Sequence, residues 1–314
     1  MKRFGLFAQG ALLSGLFLSA PACSVYDSRE NCPQGIRVEA YSKSNCDVDT
    51  LYPEAITDLR YYLFDEQNRL VTATDDKGVK LRSNYTHTIE TASHGIYTVV
   101  ACSNLDEALF EMPSSGKAIQ TKEDLMFRLR GQDGRAMSLH GKRIYYGESP
   151  AVYLPDPAEY GSVYKTTGVN LQEQTNRITI TVEGLARAQA YEVSIQSVGT
   201  SLSYEGKVKE GDLLEYPAAS HTVRDGVLES MFTTLTLTTG FQTMLVIRDS
   251  RTRAEVYRGD LLGTLLLKNP EVNLDCDHDF NIRFTAADQC DCGTYVMMEI
   301  WVNNWLVHSY ATDL

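Results

Sequence analysis

The sequence predicts an all-β protein made of two β-sandwich domains in tandem. Three observations carry that prediction. Apolar and polar residues alternate over short runs, most clearly in Arg177-Ile178-Thr179-Ile180-Thr181-Val182, which is the period of a strand with one buried face. The runs are separated by polar stretches rich in Asn, Asp, Gly and Pro, the residues that turn a chain. The 314 residues have room for two domains of ordinary size, yet only one segment shows helical spacing. Many short strands with almost no helix imply sheets packed on sheets.

The chain begins with Lys2-Arg3, an apolar run from Ala11 to Leu18, and the small residues Ala20 and Ala22 before Cys23. That is the layout of a secretory signal peptide over residues 1–22. The run is too short to span a bilayer as a helix. A cysteine directly after the cleavage position resembles a bacterial lipoprotein signal, in which that cysteine becomes the new N-terminus and carries acyl chains such as palmitate. Cys23 is therefore the expected lipid attachment site, and several chains on one residue hold a membrane stably. Ser24 resembles the outer-membrane sorting rule, and Asp27 and Glu30 resemble acidic surface-export signals. Residues 23–34 read as a lipidated tether.

The first sandwich is expected over 35–162. Ile36, Val38 and Ala40 alternate with Arg37, Glu39 and Tyr41. Residues 42–55 read as loop, with Asp49-Thr50-Leu51 resembling a short O-glycosylation motif. In Leu59-Arg60-Tyr61-Tyr62-Leu63-Phe64 both faces are apolar or aromatic, so a second layer must cover one of them. Asp65 to Arg69 turns the chain, and Leu70-Val71 opens the partner strand. Gly95 to Ala101 is β-branched and aromatic and reads as a central strand. Thr121, with Asp124 three residues on, reads as the cap of a helix carrying Leu125, Met126 and Leu129, stopped by Gly131. Three prolines between 148 and 162 mark the domain boundary.

The second sandwich, 163–314, takes in Val169, Leu171, the run at Arg177, and further runs at Tyr191–Ile195, Met231–Leu237, Gly259–Leu267, Phe280–Phe284 and Tyr295–Val302. Phe241 to Ile247, preceded by Gly240, echoes the strand that starts at Gly95. At the end, Asn303-Asn304 reads as a turn and Trp305 to Tyr310 as a last strand. Trp305, Val307 and Ser309 are expected on one face, and Leu306, His308 and Tyr310 on the other. These six are candidate strand-donor residues, because a strand at a chain terminus can leave its sheet without threading a loop. Closure of its own domain is the other role open to this strand.

Chemistry is sought and not found. There is no Gly-x-Ser-x-Gly elbow, no His-Glu-x-x-His and no phosphate-cradling glycine loop. The six histidines, His87, His94, His140, His221, His278 and His308, are scattered. No catalytic residue, cofactor or metal is therefore expected. The net charge of −12 argues against nucleic acid as a partner, since phosphate neutralisation needs a basic face. Apart from Cys23, the cysteines are Cys32, Cys46, Cys102, Cys276, Cys290 and Cys292. An even number in an exported chain favours disulfides, with 15 pairings open. A zinc site at Asp275 to Asp279 with Asp288 to Cys292 is the less favoured alternative, because Cys290-Asp291-Cys292 lacks zinc-finger spacing.

One set of motifs, in this order, carries a resemblance. It comprises the lipoprotein signal, Cys32-Pro33, Leu59 to Asp65 with Arg69-Leu70-Val71, Gly95 to Asn104, Tyr145-Tyr146-Gly147, Arg177 to Val182, and Ile300-Trp301-Val302-Asn303-Asn304-Trp305. Together these resemble the FimB-type fimbrial anchor family, the minor fimbrial subunits of Bacteroidales. The resemblance implies two transthyretin-like sandwiches, no catalysis, a fimbrillin stalk as partner, and attachment to the outer membrane through the N-terminal lipid, exposed at the cell surface. It also implies control of fimbrial length. Cleavage after Arg29 or Arg37 would lose the lipid, so an anchor is expected to keep its first strand. An accessory or tip subunit, and a surface glycan-binding lipoprotein using exposed tyrosines or Trp301 and Trp305, are the competing readings.

Overall fold

The alternation at Arg177 becomes the nine-residue strand Thr175–Glu183, with Ile178, Ile180 and Val182 buried. In the computed structural model, which describes residues 32–112, 119–289 and 295–311, this strand lies inside a six-stranded sheet. Val227–Leu235 runs antiparallel on one side of it and Asp279–Gln289 parallel on the other. The first half repeats the arrangement. Gln34–Tyr41 lies between antiparallel His87–Thr91 and parallel Tyr164–Asn170. The facing sheets match as well. Asp58–Asp65 sits between Leu70–Lys77 and Gly95–Ser103, and Tyr191–Leu202 sits between Val208–Tyr216 and Thr243–Asp249. The molecule is thus one sandwich topology built twice. The echo between Gly95 and Phe241 has a topological basis, since the strands that follow them occupy equivalent places.

The first core gathers Ile36, Val38, Leu59, Tyr61, Leu63, Val99 and Val169. The opposite face of the same sheet, with Tyr62, Phe64, Val100, Cys102 and Tyr146, packs into the core of the second sandwich. That explains why Leu59 to Phe64 is apolar or aromatic on both faces. The cover is supplied by the segment after Ser103. Its Phe110, Leu125, Phe127 and Leu129 are buried there. Its short strand Phe127–Leu129 pairs with the second domain, Phe127 opposite Leu202, and Arg135 is placed opposite Glu215. Gly206, in the left-handed region at φ 66°, lies so close to the Tyr146 ring that a Cβ would collide with it. One apolar core therefore runs from one domain into the other.

Three expectations change. The helix at Thr121 is a single 3-10 turn, Lys122–Asp124, whose Asp124 carboxylate accepts the Thr121 N–H at 2.9 Å. The chain then extends, because burial of Phe127 against the second sheet outweighs local helix preference. The run Gly259–Leu267 is not one strand. Glu255–Asp260 ends where the Asp260 side chain accepts the Gly263 N–H, and Leu261, Leu262, Leu265 and Leu266 fold inward as consecutive turns. Finally, Tyr164–Asn170 completes one sheet of the first sandwich and Gln172–Glu173 pairs with Tyr145 and Tyr146 in the other, so the chain crosses between domains at Gln174 and not at 162. A strand's period shows that it has a buried face but not which sheet it joins.

Candidate assembly surface

A β-sandwich without a catalytic cluster can join another chain through its sheet edges and terminal strands. At the start, Gln34–Tyr41 occupies an inner position of its sheet, with Ile36 and Val38 fully buried. Arg37 points outward, its guanidinium 5.3 Å from the centre of the Tyr164 ring. The first sandwich therefore has its N-terminal strand in place, with no gap beside it. By register, Gln34 lies at the end of the domain away from the crossing, while Tyr41 pairs with Asn170 next to it.

At the other end, Trp305–Ala311 forms the outermost strand of the six-stranded sheet, paired with Tyr295–Val302 on one side only. Asn303 and Asn304, at φ 46° and 67°, make the tight turn between them. The expected strand, turn and strand are all present. The expected faces are not, because a register shift separates the Ile300–His308 pair from the Trp301–Leu306 pair. The extra residue, Val307, is partly buried against the core. Past this bulge the alternation reverses. Trp305 and His308 fall on the side of buried Val302 and Ile300, while Leu306 and Ser309 fall on the side of Trp301 and Glu299. The His308 Nε2–H donates to the Thr264 carbonyl at 2.6 Å. Trp305 and Leu306 remain 45% and 42% exposed. The side chain of Tyr310 lies outside the described residues. Next to this strand, Trp301 donates its Nε1–H to Glu299 at 3.3 Å and packs under Arg283, 5.2 Å from the ring centre.

Between the two ends lies a polar junction. Arg177 clasps Asp279 with two hydrogen bonds, at 2.6 and 2.8 Å, and also contacts Glu173. The Arg177 bond holds the Asp279 carboxyl below its ordinary range. Lys43 is tied to the crossing segment. Its N–H donates to Asn170 at 2.8 Å, and its carbonyl accepts from Asn170 and Gln172, each at 2.9 Å. Cys46 and Cys276 then form a disulfide across the junction. The sequence marks Arg177 only as the start of a strand, and the one signal of the polar residues before it is a cluster of amides and charges.

The other cysteines divide. Cys32 is also disulfide-bonded. Cys102 is not. It is a free thiol, 2% exposed on the face of its strand that enters the shared core, and burial pushes its pKa up to about 12. Its expected role as a disulfide cysteine is corrected, since the even count says nothing about which side chain faces a partner. Cys23, Cys290 and Cys292 lie outside the described residues. Among the described residues no cluster of three or more metal-binding side chains occurs. Cys276, central to the zinc alternative, is committed to sulfur.

Fold and chain ends together define a two-sandwich assembly subunit, closed at its first strand and open at its last sheet edge. The family described as "Mfa2: Fimbrillin-A associated anchor proteins Mfa1 and Mfa2" matches residues 29–310, and the chain belongs to this family. It is 33% identical over 295 residues to the minor fimbrium anchoring subunit Mfa2 of Porphyromonas gingivalis, covering 92% of this chain and 90% of that one. The solved structure of the fimbrial anchor protein Mfa2 from that organism superposes with a TM-score of 0.80, covering 89% of this chain and all of the other. A protein of Bacteroides thetaiotaomicron shares the fold at a TM-score of 0.69 and 17% identity, covering 88% and 98% of the two chains. The chain is a structural subunit and not an enzyme.

Proposed function

We propose that this protein is the lipid-anchored base of a fimbria. Acyl chains on Cys23 hold it in the outer membrane at the cell surface, and its second domain holds the fimbrillin stalk and limits stalk length. The observation that carries this reading is the asymmetry of the two ends. Gln34–Tyr41 is paired on both sides, so the first domain offers no vacant groove to an incoming strand. Trp305–Ala311 is paired on one side and ends at the part of the second domain away from the crossing, opposite Met297. A terminal edge strand joins a neighbour by β-augmentation, either by leaving its sheet or by extending it. The glycan-binding reading is less well supported, because Trp301 is already engaged by Glu299 and Arg283 and is no open stacking platform.

Two experiments test the proposal. Radiolabelled palmitate labels the wild type, and Cys23→Ser abolishes both label and membrane retention; a variant that keeps both refutes lipidation there. Deletion of 305–314 leaves a folded, membrane-bound protein whose cells shed fimbriae into the medium. A folded truncation that retains its fimbriae removes the terminal strand from the contact.

A further inference from the structure

The Cys46–Cys276 disulfide joins residues 230 apart in sequence and links a loop of the first sandwich to a loop of the second. A subunit that holds a filament to a membrane is pulled between its two ends, and tension follows the shortest covalent path. We propose that this bridge is a load-bearing bypass. Tension entering at the N-terminal tether and leaving by the terminal strand crosses the bridge, so that the covalent path leaves out residues 47–275. The idea rests on the anchoring reading above, which sets the two points of attachment.

The topology suits such a path. Cys46 lies shortly after Gln34–Tyr41, and Cys276 shortly before Asp279–Gln289. The loaded chain is therefore the tether, the first strand, the bridge, and the last three strands of the second domain. Gln34–Tyr41 is pulled along its own axis. Its seven residue pairs with Tyr164–Asn170 and five with His87–Thr91 must then slip together and not open one at a time. Asp279–Gln289 is likewise held by seven pairs in parallel with Thr175–Glu183. The holding strands, His87–Thr91, Tyr164–Asn170 and Thr175–Glu183, all belong to the bypassed stretch, which thereby serves as the frame against which the loaded strands shear. The cysteine loops are fastened to that frame at both roots. Lys43 is bonded to Asn170 and Gln172, and Asp277 and His278 accept from Asn176 and Arg177 through their carbonyls. A disulfide that only closed a core would join buried segments; this one joins surface loops, with Cys46 exposed.

The test is single-molecule stretching of residues 23–314 with handles at both ends. When the oxidised wild type unfolds, the length released falls short of that released by the protein without this bridge by roughly 800 Å, a sequence separation of 230 at about 3.5 Å per residue. Cys46→Ser/Cys276→Ser releases that length. Reduction of the wild type in the instrument restores it too, which covers the case of a variant that does not fold. An oxidised wild type that releases the full chain overturns the proposal whatever the variant does. The released length depends on the isolated protein alone, whereas the anchoring reading fails in the cell experiments above, so the two failures are separable.

Discussion

Removing the junction disulfide also has a thermodynamic consequence. The perturbation is Cys46→Ser/Cys276→Ser, which leaves both loops and their polar anchors intact. Tying together residues 230 apart removes conformational freedom from the unfolded chain. In the chain-entropy treatment a loop of that length loses about 18 cal/mol/K, or roughly 5 kcal/mol at 25 °C. One apolar core is shared by both sandwiches and the bridge spans them, so the whole amount is assigned to their joint unfolding. For a chain of this size each kcal/mol moves the melting temperature by about 1.5–2 °C, so the variant melts roughly 8–10 °C below the wild type. Scanning calorimetry of both proteins, with and without reductant, measures this. Reductant brings the wild type to the value of the variant in the same reductant, because the disulfide of Cys32 is then open in both. A drop of less than about 3 °C would refute the argument, because it would mean that the unfolded chain is already constrained without the bridge.

Two further outcomes follow from buried and paired groups. Cys102 in the native protein does not react with Ellman's reagent at pH 8, since its thiol is buried and its pKa is pushed up to about 12, yet it titrates once the unreduced chain is unfolded; Cys102→Ser leaves a hydroxyl in the core and costs about 1–3 kcal/mol by denaturant titration, and a neutral substitution would contradict the burial. Asp75 and Asp279 are held below the ordinary carboxylate value of 3.8 by hydrogen bonds from Arg60 and Arg177, so the stability they lend is full above that value and fades as pH falls through their folded values; melting curves between pH 6 and about pH 2.5 should show the loss, and Asp75→Asn with Asp279→Asn should flatten it, an unchanged profile counting against the pairing.

Much of the fold was legible because strands with one wet face write a two-residue period into the chain. The runs at Ile36, Leu59, Gly95 and Arg177 all became strands at or near their expected bounds. The two apolar faces of Leu59 to Phe64 told of a second layer without saying that the layer is the other domain. The Asn303-Asn304 turn was readable because few other residues accept a left-handed backbone. What stayed hidden depended on partners. Thr121 to Gly131 carried sound capping signals, yet the chain extends there because Phe127 has Leu202 to pair with. Among the donor candidates, the strand was visible and its bulge was not, since an unpaired residue leaves no mark on the alternation until a neighbour sets the register.

By itself, then, the sequence determined which residues turn inward, roughly where the chain turns, and that the protein is a tandem of sandwiches with no catalytic motif. Periodicity, turn chemistry and the absence of convergent reactive groups are local properties, and each is written within about ten residues. Tertiary structure alone decided that Tyr164–Asn170 belongs to the first domain, that one core joins both domains, that Cys46 meets Cys276 while Cys102 remains a thiol, and that the first strand is enclosed while the last is left at an edge. All of these are pairings between segments far apart in the chain. A backbone ladder is chemically the same whichever two strands form it, so the choice of partner is made only when the whole chain packs.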